Sequence, residues 1–169
     1  MNPSFTETQK FNKWWHYLIA GLPIFLISIP FIFTYLGILP PKNNVSSNNL
    51  LFIATVTIGS VISFFIWFII LQLKTNINKE GIQVHFFGIP FAKKNINWSE
   101  IQSIAIVKYS PLSDYGGWGV RYSLTGNGWC YNVSGSDGIK LIRTNGKPLL
   151  IGTQQKEEAE KIINLYFKK

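Results

Sequence analysis

Residues 17–39 read YLIAGLPIFLISIPFIFTYLGIL, and residues 50–73 read LLFIATVTIGSVISFFIWFIILQL. Neither run contains Asp, Glu, Lys, Arg or His. At about 1.5 Å per helical residue, either can cross a hydrocarbon core roughly 30 Å thick. These runs predict a transmembrane hairpin: helix 1 over 17–39, an external loop over 40–49 and helix 2 over 50–73. Residues 1–16 read as an N-terminal cytoplasmic segment, and 74–169 as a separate water-soluble domain. A cleaved leader is not expected, because the first run is too long and no small-x-small site follows it before Pro40 and Pro41.

Orientation follows from the basic residues that flank the runs. Lys10 and Lys13 precede the first, Lys74 and Lys79 follow the second, and the connecting loop holds only Lys42. This asymmetry places both termini in the cytoplasm, at the inner cell membrane, with the loop outside. Trp14 and Trp15 stand where indole rings favour the headgroup level. Pro30 removes a backbone donor, which predicts a kink in helix 1. Thr55, Gly59 and Ser63 recur every four residues and form a small-residue face, suited to packing on helix 1 or to a homodimer. No ionisable group lies inside either run, which argues for an anchor over a pump or small transporter component.

The formal charge of +8 is concentrated downstream: 13 of the 16 Lys and Arg lie from Lys74 onward, with seven of the eight acids. A basic domain beside a membrane predicts contact with anionic headgroups, at about 1 kcal/mol per cation near the surface. Lys74, Lys79, Lys93 and Lys94 are the candidate headgroup contacts. Nucleic acid is not an expected partner, because no Lys/Arg run exceeds two residues. Cys130 is the single cysteine and His16 and His85 the only histidines, so no disulfide, zinc set or catalytic triad is predicted. No cofactor is expected.

After Leu73 the pattern changes to short β runs. Ile82, Val84 and Phe86 alternate with Gln83 and His85 at period two. Further strands are predicted at 75–78, 91–97, 101–109, 128–133, 138–143 and 148–152, with one at 119–124 inside a Gly- and Ser-rich loop. The Thr144-Asn-Gly-Lys147 link is a hairpin signal. A C-terminal helix follows, with Thr153 as N-cap, Glu157, Glu158 and Glu160 toward its positive end, and Ala159, Ile162, Ile163 and Tyr166 as its apolar stripe. Seven or so antiparallel strands and one amphipathic helix predict a small barrel or bent sandwich plugged by the helix.

That order, together with Tyr115-Gly-Gly-Trp-Gly-Val-Arg121, Tyr131-Asn-Val-Ser-Gly135, Gly138-Ile-Lys-Leu141, Asn145-Gly-Lys147 and Leu150-Ile-Gly-Thr-Gln154, resembles a pleckstrin-homology-like domain. It is similar to bacterial membrane proteins that carry such a domain after two helices. The resemblance covers residues 75–169 and implies a fold and a membrane location. Many domains of this kind bind phosphoinositides through a basic first hairpin. Here that turn is Asn78-Lys-Glu-Gly81, with one Lys beside a Glu, which departs from the pattern.

The segment 114–122 is the candidate recognition surface. Tyr115, Trp118 and Tyr122 offer aromatic area, and Arg121 offers a two-pronged donor. The same residues also fit a tight turn in which Trp118 packs inward and Arg121 pairs with Asp114. The expected function is a non-enzymatic binding or scaffolding module at the cytoplasmic face, engaging a protein or peptide. A sensor of anionic lipid or envelope state is the alternative.

Overall fold

A computed structural model of the chain describes residues 2–38 and 47–167. The chain divides into two compact units, one made of Met1–Phe11 with Ile70–Lys169, the other of Asn12–Ile69.

The second unit is helical. Helix α1 spans Trp14–Tyr35 and α2 spans Ser47–Ile70. The stretch His16–Thr34 is long and apolar enough to cross a membrane, the single such helix among the described residues; Ala54–Ile70 is a shorter apolar helix. Helix α1 starts earlier than the apolar run predicts, with the backbone N–H of Lys13 donating to His16 Nδ1 at its first turn. It continues through Pro23 and Pro30, and the Thr34 hydroxyl donates to the Pro30 carbonyl. The two helices meet through aromatic rings: Tyr17 contacts Phe68 edge-on, and Gly21 faces Phe65. Bulky rings therefore fill the seam. Thr55, Gly59 and Ser63 are exposed, and the space above Gly59 is open among the described residues. Of the loop predicted over 40–49, residues 40–46 lie outside the described residues, and 47–49 already belong to α2.

The first unit is a β body of two sheets with a C-terminal helix. One sheet has the order β1-β2-β3-β4, from Phe5–Lys10, Gln72–Asn78, Gly81–Phe87 and Lys93–Asn97. The other has the order β5-β8-β9-β7-β6, from Ile101–Lys108, Asp137–Arg143, Pro148–Thr153, Trp129–Asn132 and Gly119–Tyr122. Two corrections follow. The predicted second span ends at Ile70, and Gln72 and Leu73 are strand. Leu73 is fully buried because it alternates with Thr75 and Ile77 on the inward face of β2, an environment its hydropathy alone does not distinguish from lipid. The strands are not all antiparallel either, because β7 and β9 run parallel, with Cys130 opposite Leu150.

Residues 1–11 bring a strand that the hydrophobic pattern does not announce. β1 pairs with β2 along its full length, Phe5 opposite Ile77 and Lys10 opposite Gln72. Its inward residues are Phe5, Glu7 and Gln9, all buried. Glu7 accepts the Thr153 hydroxyl on one carboxylate oxygen at 2.7 Å and the Gln154 backbone N–H on the other at 2.8 Å. Gln9 Nε2 donates to the Gly152 carbonyl at 2.7 Å. These bonds join the first sheet to the end of β9. Because Thr153 is engaged there as the last residue of β9, it does not cap the helix. Helix α4 spans Lys156–Tyr166 with Gln155 at its N-cap.

The core lies on the inward faces of both sheets. Leu73, Ile77, Ile82, Val84 and Phe86 are fully buried from one side, and Ile139, Leu141 and Ile151 from the other. Ala159 and Ile163 of α4 close it. Tyr166 reaches back to donate to the Pro3 carbonyl, and Trp98 stacks on Tyr166.

Candidate functional site

The loop between β5 and β6 is organised by a short helix, α3, over Pro111–Tyr115, with proline at its first turn and Gly116 in the left-handed conformation at its end. Helix α3 lays Tyr115 on the outer face of the second sheet, against Tyr109, Cys130 and Leu150. Tyr115 is therefore buried and is not a surface contact. Asp114 accepts the Ser110 backbone N–H and the Ser113 hydroxyl, and Arg121 Nε donates to the Trp118 carbonyl at 2.9 Å. Asp114 and Arg121 each close a local turn and do not pair with one another.

A recess of about 230 Å³ opens beside this cluster. Lys108, Lys140, Asp114, Asn127 and Tyr109 are among its lining residues. Lys140 Nζ donates to Asn127 Oδ1 at 3.4 Å, while the Tyr115 hydroxyl donates to the Asn127 carbonyl. Lys108 and Lys140 thus line the same recess as Asp114, whose carboxylate is committed to its loop. The recess offers charge for an acidic side chain or terminal carboxylate, but no activated nucleophile. The one thiol, Cys130, is fully buried, and burial pushes its pKa up to about 12. Among the described residues no three His, Cys, Asp or Glu side chains converge as a metal site.

The same burial predicts an alkaline limit. An unfolded thiol ionises near about 8.5 and a tyrosine near about 10. Folding raises Cys130 to about 12, and also Tyr115 to about 12, through burial first and then the nearby Cys130 and Asp114 charges. Raised acids bind their protons more tightly when folded, so this stability is complete below pH about 8.5 and is lost as pH climbs toward about 12. The urea midpoint is expected to stay flat through pH 8 and then fall steeply. Cys130→Ala should delay the onset of the fall by about one pH unit; an unchanged onset would remove Cys130 as its source.

The edge beyond α3 is exposed. Strand β6 ends the second sheet and pairs only with β7 among the described residues. Tyr122 packs edge-on against Trp129 of β7, yet the two rings remain 58% and 47% exposed. Leu124 stands fully out, at 99%. Arg121 and Tyr122 thus share an accessible edge strand, whereas Tyr115 and the half-buried Trp118 lie inward of it. Trp129, which sequence reasoning missed, belongs to this surface. It lies opposite Tyr122 and Leu149, and only the register reveals that.

The predicted headgroup lysines separate into distinct places. On the outer face of the first sheet, Thr8, Lys74, His85 and Lys93 form one cross-strand row, with Lys10 at the end of β1. No carboxylate stands on that face. Lys79 lies in the β2–β3 turn at the opposite end of the sheet, and Lys94 alternates to the other face of β4. No protein-family model matches this chain, and no curated protein or solved structure matches it either.

Proposed function

We propose that this protein is a non-enzymatic binding module held at the cytoplasmic face of the cell membrane by a two-helix hairpin, and that it captures an extended protein or peptide segment along β6. The observation that carries the capture role is the aromatic edge: an unextended terminal strand with Tyr122, Trp129 and Leu124 exposed beside Arg121. An extended segment added to such an edge gains main-chain hydrogen bonds, and neighbouring aromatics supply the anchoring area. The basic recess beyond α3 favours a segment bearing acidic groups.

The anchor reading is supported by strand pairing. Lys10 and Gln72 are cross-strand neighbours, so they lie on the same side of any bilayer. A chain that crosses at α1 must cross back before Gln72, and the intervening apolar helix is α2. Its 24 residues extend about 36 Å, enough for a core of about 30 Å. The lysines flanking the hairpin favour the cytoplasmic side for the body. Two sheets closed by a final helix support a pleckstrin-homology-like body, from which the parallel β7–β9 contact departs.

A photo-crosslinking residue placed at Leu124 in cells is expected to give discrete adducts that are absent when it is placed at Thr6. Replacing Tyr122 and Trp129 together by alanine should reduce those adducts at least about tenfold while Cys130 stays protected from alkylation. Adducts of equal yield from the double variant would remove β6 as the capture surface.

A further inference from the structure

The β3–β4 turn does not behave like the other turns. Residues 88–91 read Gly-Ile-Pro-Phe and contain no polar side chain. Phe91 is 99% exposed, and its backbone sits at φ 60°, a region that bulky residues rarely occupy. The turn holds it there. Phe86 N–H donates to the Ala92 carbonyl at 2.8 Å, with longer bonds from Ile89 to Phe86 and from Ala92 to Ile89. Ala92 is buried while Phe91 is turned outward. The turn thus holds an apolar ring out from the body, in a conformation where it can enter an apolar phase without further rearrangement.

The position of the turn identifies that partner. Phe87 pairs with Gln72, so the turn lies at the end of the sheet where β1 finishes and β2 begins. Three residues separate Lys10 from α1, and only Leu71 separates α2 from β2. Both connectors are pinned to the base of the turn: the Phe11 ring packs near Phe86, and Leu71 lies so close to Gly88 that a Cβ there would meet its side chain at 2.8 Å. Lys93 and Lys94 follow the turn directly, Lys74 and His85 share the row of Lys93, and Lys10 closes the same end of the sheet.

We propose that this end of the first sheet is an interfacial site for an anionic lipid surface, in which Phe91 enters the boundary between headgroups and acyl chains while Lys10, Lys74, Lys93 and Lys94 contact lipid phosphates. The site rests on the reading of the hairpin as membrane-spanning, since it is the short connectors that bring it to the bilayer. Its chemistry is that of a shallow wedge with cationic flanks. Each lysine near an anionic surface contributes about fivefold to binding. It lies at the opposite end of the sheet from the Asn78–Gly81 turn.

The test uses the full chain reconstituted in bilayers of phosphatidylcholine with 30% phosphatidylglycerol (roughly physiological in surface charge), carrying a spin label on one introduced cysteine: Phe91→Cys, Lys79→Cys or Leu26→Cys. Cys130 is buried and takes no label. The label at 91 is expected to be at least about fivefold less accessible to a water-soluble relaxant than the label at 79, and accessible to oxygen dissolved in lipid. Replacing Lys74, Lys93 and Lys94 by glutamine, or omitting the anionic lipid, should return it toward water. A label at 26 buried in lipid while the label at 91 stays as wet as the label at 79 overturns the wedge and leaves the hairpin intact. A wet label at 26 overturns the hairpin reading and the site with it. Shielding of residue 91 from both relaxants means that protein covers it, and rejects lipid as the occupant. Equal immersion without anionic lipid rejects the lysine contacts.

Discussion

Glu7→Ala is expected to lower the stability of the β body by about 3–5 kcal/mol. The carboxylate is 5% exposed and holds two donors, the Thr153 hydroxyl and the Gln154 backbone N–H. Hydrogen bonds to a charged group contribute about 1.5–3 kcal/mol each, and removing the acceptor strands both donors inside the protein. Glu7→Gln keeps the shape, but one of its two terminal atoms cannot accept, so one bond is lost and about half the penalty is expected. Alkylation of the buried Cys130 along a urea gradient, in the full chain in detergent, measures both. For a body of about 100 residues the alanine variant should also melt at least about 12 °C earlier. A change below about 1 kcal/mol would mean that β1 is not docked as described.

Gly81→Ala is expected to be comparably severe for a different reason. Gly81 occupies φ +149° at the start of β3, and a Cβ there would overlap the Ile96 carbonyl oxygen and lie 2.9 Å from the Asn97 Cα. Both obstacles are backbone of β4, so no side chain can swing aside. Backbone strain and overpacking each cost about 1–3 kcal/mol, giving about 3–5 kcal/mol together. Gly135→Ala isolates the conformational part, because Gly135 also has positive φ but open space where its Cβ would stand. It should cost about 1 kcal/mol. Equal losses at the two positions in the same alkylation assay would show that conformation, not the press of β4, dominates.

The apolar runs and the alternation of Ile82, Val84 and Phe86 announce the helices and the middle of the first sheet directly, because in both cases one solvent dictates one residue class. β1 is invisible to that logic. Its inward side is Phe5, Glu7 and Gln9, so the buried set is mostly polar and satisfied by residues about 145 positions away. Only the threonines at 6 and 8 hint at a strand. Helix α3 was legible in principle, since Ser110 followed by Pro111 is a helix start, but the surrounding glycines read as loop. That helix carried Tyr115 inward, which is why a residue chosen for its aromatic area proved to be core. Arg121 and Tyr122, chosen for a two-pronged donor and aromatic area, stand on an exposed edge strand; Trp129 joins them only through register, which the sequence does not display. The grouping of the lysines was equally out of reach: Lys74 and Lys93 are nineteen positions apart in sequence and two strands apart in the sheet.

The pairing of β1 with β2 also imposes a schedule on biosynthesis. β1 is made first, yet β2 cannot reach it until both helices have emerged, and the Glu7 acceptors stay unfilled until Thr153 and Gln154 exist. At about 5–20 residues per second, the edge of the nascent strand waits roughly 3–14 s for β2, and its carboxylate roughly 7–30 s for residue 154. A ribosome that stalls before β2 is made leaves that edge exposed to chaperones and proteases. Completion of the body is thus a built-in report that both helices were made and the chain was carried through residue 154.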